Sequence, residues 1–469
     1  MILVKKMKQN VTFSIGNVAI FDKVNGETGL FDAVFKDLAG RAKSFVPCIK
    51  LLMYNRLGRC VSVNRITDFM PEELTKLLDF DTPPKGRTIY RTLERLGEKS
   101  ALLVENYQQW LARQNLIDDK QALDFSSSFF CGNKCPLGAH GYSRDHRPDK
   151  KQLTYGVSVG MNRMPTAITI QKGNTQDKKH MRSLTKLCFK ILPKESVLIF
   201  DCGGNSRKMK EKIRLNELHY LTLKPRKRTP YQKAIMAFLS KPRTELRFNE
   251  RRYLCVQMND GNEINYIFFC DELAQDQLRK KEVKFKRALE KGTAIAKKVK
   301  KNKELGRQIY DEGVIILKGV LQTVLGETTN PFITGLEGFF ILESSLGAEP
   351  EAILRLYKDK DVVEKFIRDL KEGTELRPIR HWSEKAVKGY LLVVFLTNAL
   401  INLTHILTKN PLVTNLKLLK KYLMNLTLTV IYPKNSFRMK VISNYSAEMR
   451  ALFGERVKKY GDLTPIIWR

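Results

Sequence analysis

The spacing of apolar and polar positions changes period several times along this chain. Residues 11–21 form an apolar run that reads as a strand, and the stretch from there to about 118 reads as mainly helical. Residues 71–78 have helical spacing behind the proline start Pro71. The segment Thr82-Pro-Pro-Lys-Gly86 interrupts the pattern, and residues 87–96 resume it before Gly97. Near Ala122 the period becomes two: residues 122–130 read as a strand, followed by a polar, glycine-rich loop. Residues 153–159 and 166–170 flank the turn Met161-Asn-Arg-Met-Pro165, which predicts a hairpin. Met181, Leu184, Leu187, Cys188 and Ile191 then recur at helical intervals. Residues 197–200 predict a strand, 208–215 a helix and 219–223 another strand.

Beyond Pro225 the pattern changes character. A basic run, Lys224-Pro-Arg-Lys-Arg228, precedes two strand-like segments, 253–258 and 264–269, joined by Asn259-Asp-Gly-Asn-Glu263, a strong hairpin signal. A highly charged helix follows over about 272–310, and its lysine run 297–303 fits either a solvated face or contacts to DNA phosphates. The apolar run 338–342 reads as a strand, and Pro350 opens a further helix. On that helix Ile353, Leu356, Val363, Ile367 and Leu370 make the buried stripe. Beside it Tyr357, Lys360, Glu364 and Lys371, at steps of three, four and seven, fall on one stripe. The run 390–396 is interrupted by Thr397, Asn398 and Asn402; it is short for a bilayer and reads as a buried helix. After about 412 a helix, strands at 426–432 and 437–443, and a basic helix to 459 close the chain.

Charge narrows the partners. Lys and Arg number 83 against 49 Asp and Glu, a net charge of +34 spread over all 469 residues. Such a surplus favours a polyanion and salt-sensitive association, so nucleic acid is the expected partner. Eight cysteines are scattered; only Cys131 and Cys135 are close, and one such pair lacks the second pair that a zinc site needs. Reduced thiols and an opening, residues 1–10, with too short an apolar stretch for a signal peptide lead to the expectation of a cytoplasmic, nucleoid-associated protein without a membrane role.

Three carboxylates stand where the pattern makes them costly or conspicuous. Asp124 lies inside a predicted strand, Asp201 ends the apolar run 197–200 ahead of the sharp turn Cys202-Gly-Gly-Asn205, and Glu364 lies on the helical stripe. Unpaired charges in strand interiors are expensive, and shared divalent cations relieve that cost. Oxygen-rich anionic sites suit Mg²⁺, and paired metals serve phosphoryl transfer by activating one oxygen and stabilising another. Asn205 and Ser206, just after Asp201, either donate to a phosphate or cap the next helix, with the cap favoured. His146 and His381 suit structural or phosphate-contacting roles better than that of a general base.

Tyr357, Lys360, Glu364 and Lys371 reproduce the spacing Y-x₂-R-x₃-E-x₆-K, and the chain thereby resembles the DDE transposases of bacterial and archaeal insertion sequences. The segments Gly141-Tyr-Ser-Arg-Asp-His-Arg-Pro-Asp149 with Lys151-Gln152, Gly173-Asn-Thr-Gln-Asp177 and Arg377-Pro-Ile-Arg-His381 also look like that group. Lys360 departs from it, standing where the pattern has arginine: the charge is kept and the planar fork is lost. The resemblance implies an α/β fold: an RNase H-like mixed-sheet catalytic core interrupted by a partly β insertion domain, with a mainly helical N-terminal DNA-binding domain. In the RNase H-like order the first and fourth strands are neighbours, which would bring Asp124 and Asp201 together.

The organisation so implied is an end-binding domain over 1–118, core over 119–224 and 346–410, an insertion domain over 225–345 and a C-terminal region over 411–469, which in relatives often serves protomer contacts. Asp124, Asp201 and Glu364 would be catalytic and bind two Mg²⁺ ions, with Mn²⁺ able to substitute. Tyr357, Lys360 and Lys371 would hold phosphates. The helix over 87–96 would present Arg87, Thr88, Tyr90 and Arg91 to DNA if it belongs to a helix-turn-helix rather than an ordinary helical pair. The implied function is a transposase, homodimeric when active, that nicks the terminal inverted repeats of an element and joins them to target DNA. A stand-alone RNase H-like nuclease and a catalytically idle DNA-binding regulator are the alternatives. Some relatives trap a flipped base with a tryptophan of the insertion, but the tryptophans here are Trp110, Trp382 and Trp468, so a hairpin step is not implied.

Overall fold

The computed structural model describes residues 10–38, 44–299, 330, 332–432 and 438–463. The chain is α/β and divides into two compact units that alternate in sequence. The first takes Met1–Ile199, Leu215–Leu218 and Asp359–Arg469, and the second takes Phe200–Arg214 and His219–Lys358.

The first unit opens on β1 (Val11–Ser14) and α1 (Gly16–Thr28). The strand expected over 11–21 therefore ends at Ser14. Apolar residues interrupted only by Thr12, Ser14, Gly16 and Asn17 do not separate a strand from a buried helix, and Val18 and Ile20 are fully buried in the helix. Helices α2 (Leu30–Phe35), α3 (Phe45–Leu57), α4 (Glu72–Leu77), α5 (Gly86–Glu98) and α6 (Ser100–Arg113) follow. Next come β2 (Lys120–Phe129), β3 (Gln152–Gly160), β4 (Pro165–Lys172), α7 (Asp177–Cys188) and β5 (Val197–Phe200). The strands lie in the order β4-β3-β2-β5, with β2, β3 and β4 antiparallel, so the first and fourth strands of this region are neighbours as expected.

The second unit begins at Phe200 and contains α8 (Arg207–Leu215), β6 (His219–Leu223), α9 (Arg228–Ser240), β7 (Thr244–Phe248), β8 (Arg251–Asp260), β9 (Glu263–Phe269), α10 (Asp271–Val299), β10 (Phe339–Ser344) and most of α11 (Pro350–Asp359). Its strands run β6-β10-β9-β8-β7, all antiparallel. The β8–β9 hairpin forms where Asn259–Glu263 predicts it, with Asp260 opposite Glu263 and Gly261 at φ 62°, a left-handed position that glycine occupies without strain. The insertion expected over 225–345 is not a body of its own. Strand β10 sits mid-sheet, bonded to β6 on one side and β9 on the other, because Phe339–Leu342 offers apolar side chains to both faces. Tyr231, Phe238, Val256, Ile267 and Ile341 form its core. Part of the helix expected over 272–310, and of the lysine run 297–303, lies outside the described residues.

The chain returns to the first unit with α12 (Asp361–Arg368), a π turn (Asp369–Gly373), α13 (Glu384–Thr408), α14 (Leu416–Asn425), β11 (Thr427–Ile431), β12 (Met439–Ser443), α15 (Ala447–Phe453) and β13 (Asp462–Leu463). The boundaries expected at 118 and 410 do not separate compact units. Strand β1 pairs antiparallel with β11, Val11 opposite Val430, and residues from Phe13 to Tyr460 share one core. Helix α13 is the axis of that core. Thr397 and Asn398, which interrupt the apolar run, return their side-chain donors to Val393 O and Val394 O one turn back, and the buried helix expected here runs for 25 residues. By length and composition it could cross a membrane, but most of it is buried within the protein.

Candidate active site

Each expected site residue takes its place from the element that carries it. In the first unit Asp124 lies half-buried on β2 opposite Val157, and its Oδ1 accepts from the Phe125 amide at 2.7 Å. Helix α12 packs on β2 and β3 through Val363, Phe366 and Ile367. This leaves Glu364 on its exposed side, so two carboxylates 240 positions apart in sequence come to adjoining elements. Lys360, immediately before α12, is almost wholly buried and donates to Glu364 Oε1 at 3.0 Å. The single helix expected over 357–371 is in fact three pieces, α11, α12 and the π turn. The widened turn, in which the Thr374 amide reaches back to Asp369 O, turns Lys371 inward.

Lys371 meets Asp145 there. Lys371 Nζ and Arg377 Nη1 both donate to Asp145 Oδ1, at 2.7 and 2.6 Å, and the Asp145 side chain is only 1% exposed. Burial pushes the Lys371 ammonium below its usual value, partly offset by the Asp145 carboxylate. The other motif segments meet in the same place. Arg144 pairs with Asp177 at 2.7 Å, and Gly141 lies so close to Gly173 O that a Cβ there would approach it to 2.4 Å. Ile379 is hydrogen-bonded to the end of β2 through Phe129 O and Cys131 N. Segments with no evident relation in sequence are thus one packed cluster behind β2 and α12.

In the second unit Asp201 directly follows β5, and the Tyr357 hydroxyl donates to its Oδ1 at 2.8 Å. The turn after Asp201 is pinned by Asn205, whose side chain donates to Leu223 O at 3.1 Å and to Glu343 Oε2 at 2.6 Å. Ser206 caps α8 by accepting from the Met209 amide. Glu343, 4% exposed on β10, also pairs with Lys224 at 2.8 Å and Lys210 at 3.2 Å. Burial works to raise its carboxyl, but the Asn205 hydrogen bond and the two lysines outweigh it and hold it below the usual range. Glu343→Gln should therefore cost about 2 kcal/mol of stability, since it removes the carboxylate that pairs with Lys224, while Lys210 keeps Glu263 at 2.5 Å. The folded value is depressed, so Glu343's contribution is present above its unfolded value and lost as pH falls through the folded one. In denaturant titrations, variant and wild type should thus converge in acid; equal stability at neutral pH would show that the lysines find other partners.

Arg87 and Arg91 are exposed on α5, whose opposite face, Ile89, Leu93 and Leu96, is buried against α13. His381 is buried between the rings of Tyr90 and Tyr390, and burial, with Arg56 nearby, lowers it to about 4. It is therefore neutral near pH 7 and suits packing better than proton transfer. As hard oxygen donors, the three carboxylates fit Mg²⁺ in chemistry. Asp201 and Glu364 are engaged by Tyr357 and Lys360, and among the described residues no three His, Cys, Asp or Glu side chains are grouped to hold a metal ion. Asp145 and Glu343 were missed by the sequence reading. Glu343 carries the signal used for Asp124, an acidic residue inside an apolar strand; Asp145 sits in a polar loop, where nothing marks it for burial.

No family model matches the chain, and no curated protein matches it in sequence. Among solved structures it is similar to a piggyBac transposase, determined by cryo-electron microscopy as a synaptic complex with hairpin DNA. The TM-score is 0.45 at 10% identity, covering 89% of this chain and 82% of that chain.

Proposed function

We propose that this protein is a DNA transposase that nicks the ends of an insertion sequence and joins them to target DNA by metal-dependent phosphoryl transfer. The observation that carries the reading is the packing of α12, bearing Glu364, against β2, bearing Asp124. The Tyr-Lys-Glu-Lys spacing and the net charge of +34 support it. Asp124, Asp201 and Glu364 would hold Mg²⁺, which supplies positive charge at the attacking and leaving oxygens when bound. Tyr357 and Lys360 orient two of these carboxylates. Lys371, hydrogen-bonded to Asp145, would brace the cluster behind β2, a positioning role in place of the phosphate contact that the resemblance implies. Arg87 and Arg91 offer exposed charge to the DNA backbone.

Duplex DNA carrying the element's terminal repeats should be nicked at the repeat end in Mg²⁺ or Mn²⁺, and the freed end should then become covalently joined to a target plasmid. Nicking without joining would favour a stand-alone nuclease; binding with neither would favour a regulator. Binding should weaken steeply with salt, by about −0.9 in log K against log salt for each phosphate neutralised. A flat salt dependence would mean that the charge serves another partner.

A further inference from the structure

A recess of about 380 Å³ opens in the first unit between α3, α5 and the Arg377–His381 segment, apart from the carboxylates of the proposed site. Arg56, Tyr90, Arg377, Arg380, His381 and Tyr390 line it. Arg56 is 6% exposed, yet its guanidinium meets only neutral acceptors: the carbonyls of Val61, Thr374 and Glu375, and the Tyr390 hydroxyl at 3.0 Å. Among the described residues no carboxylate pairs with it, nor with the exposed Arg380. Arg377, by contrast, is compensated by Asp145 and Glu372. A buried cation without an anion is costly, and the cost falls when an anion enters. Glu375 also lines the recess, but its carboxylate is on an exposed residue. His381 is neutral here, so the arginines supply the charge.

The shape selects among polyanions. The volume is that of a small-ligand site. Duplex phosphates sit on a convex backbone and are poorly shaped to approach a guanidinium on a residue only 6% exposed; a phosphate on a protruding, unpaired nucleotide is better shaped for it. Tyr90, 37% exposed, is the most accessible aromatic ring of the lining and lies on α5 between Arg87 and Arg91. We infer that this recess binds one unpaired nucleotide of a nucleic-acid strand, its phosphate taken by Arg56 and Arg380 and its base stacked on Tyr90. The inference rests on nucleic acid being the partner but needs no metal and no cleavage.

The test is fluorescence anisotropy of the full chain, in EDTA, with a labelled oligothymidylate, a labelled duplex of equal length, and inorganic phosphate as competitor. EDTA keeps the outcome separate from that of the cleavage reading. Tyr90→Ala and Arg380→Ala should each weaken single-strand binding about 10-fold while duplex affinity stays unchanged; Tm should hold for Arg380→Ala and fall for Tyr90→Ala, which uncovers His381. Arg380→Ala should also flatten the single-strand salt slope by about 0.7. Arg56→Ala would strip several backbone hydrogen bonds, so Arg56→Lys, which keeps charge but not the fork, is the companion variant and should weaken single strands selectively. Unchanged single-strand binding, or equal losses on single strand and duplex, would overturn the inference. Displacement by inorganic phosphate beyond that by chloride at equal ionic strength, together with unchanged single-strand binding in Tyr90→Ala, would also overturn it, identifying a free-anion site instead.

Discussion

Asp124→Asn, Asp201→Asn and Glu364→Gln should each lower the nicking rate by about 10³-fold or more while leaving binding to end DNA intact. Each change keeps size and removes an anionic donor. Asparagine at 124 can still accept from the Phe125 amide, and asparagine at 201 can still accept from Tyr357, so these two hydrogen bonds are kept. Glu364→Gln should differ, because Lys360, with a side chain 5% exposed, then faces a neutral acceptor; a lower Tm is expected for this variant. Asp361→Asn is the internal control. It sits on the same helix, is exposed and pairs with Lys365 at 2.6 Å, and its nicking rate should be unchanged. Wild-type nicking by any of the three amide variants would remove that residue from the proposed site, and a loss in Asp361→Asn would mean that charge on α12, rather than placement, sets the rate.

Alanine at Gly97 or Gly389 should destabilise the protein by more than about 4 kcal/mol, a loss outside the ordinary range for one methyl group. A Cβ on Gly97 would lie 1.7 Å from Lys385 O, and one on Gly389 would lie 1.9 Å from Leu93 O. Both obstacles are backbone, so no side chain can swing aside, and α5 and α13 must separate along their contact. The sign is informative, since glycine to alanine inside a helix otherwise gains up to about 1 kcal/mol. Gly86→Ala, at the start of α5 with open space around its Cβ, should show that gain. Denaturant midpoints measure all three, and a midpoint at or above wild type for Gly389→Ala would mean the two helices do not approach this closely. Because α5 carries Arg87 and Arg91, partial separation should also weaken DNA binding.

These two predictions differ in what the sequence alone could supply. Residues of the first kind were legible because they break a local pattern: an aspartate within a period-two run, another at a strand end before glycines, a glutamate on a helix stripe. The β8–β9 hairpin and the helix opened by Pro350 were legible for the same reason, since turn chemistry and a proline act on the residues beside them. Nothing local marks Gly97 and Gly389 as partners nearly 300 residues apart.

Local period, charge and turn residues thus determined most elements, the basic character and the candidate carboxylates, because a repeat of two or 3.6 residues is written in neighbouring positions. The tertiary structure decided which elements meet. It pairs β1 with β11, makes α13 the axis of the first unit's core, seats β10 between β6 and β9, and buries Asp145 under Lys371 and Arg377. It also leaves Arg56 buried without a carboxylate partner among the described residues. Those outcomes depend on which apolar faces cover one another and which charges find a partner once water is excluded, a competition among all segments at once that no window of the sequence contains.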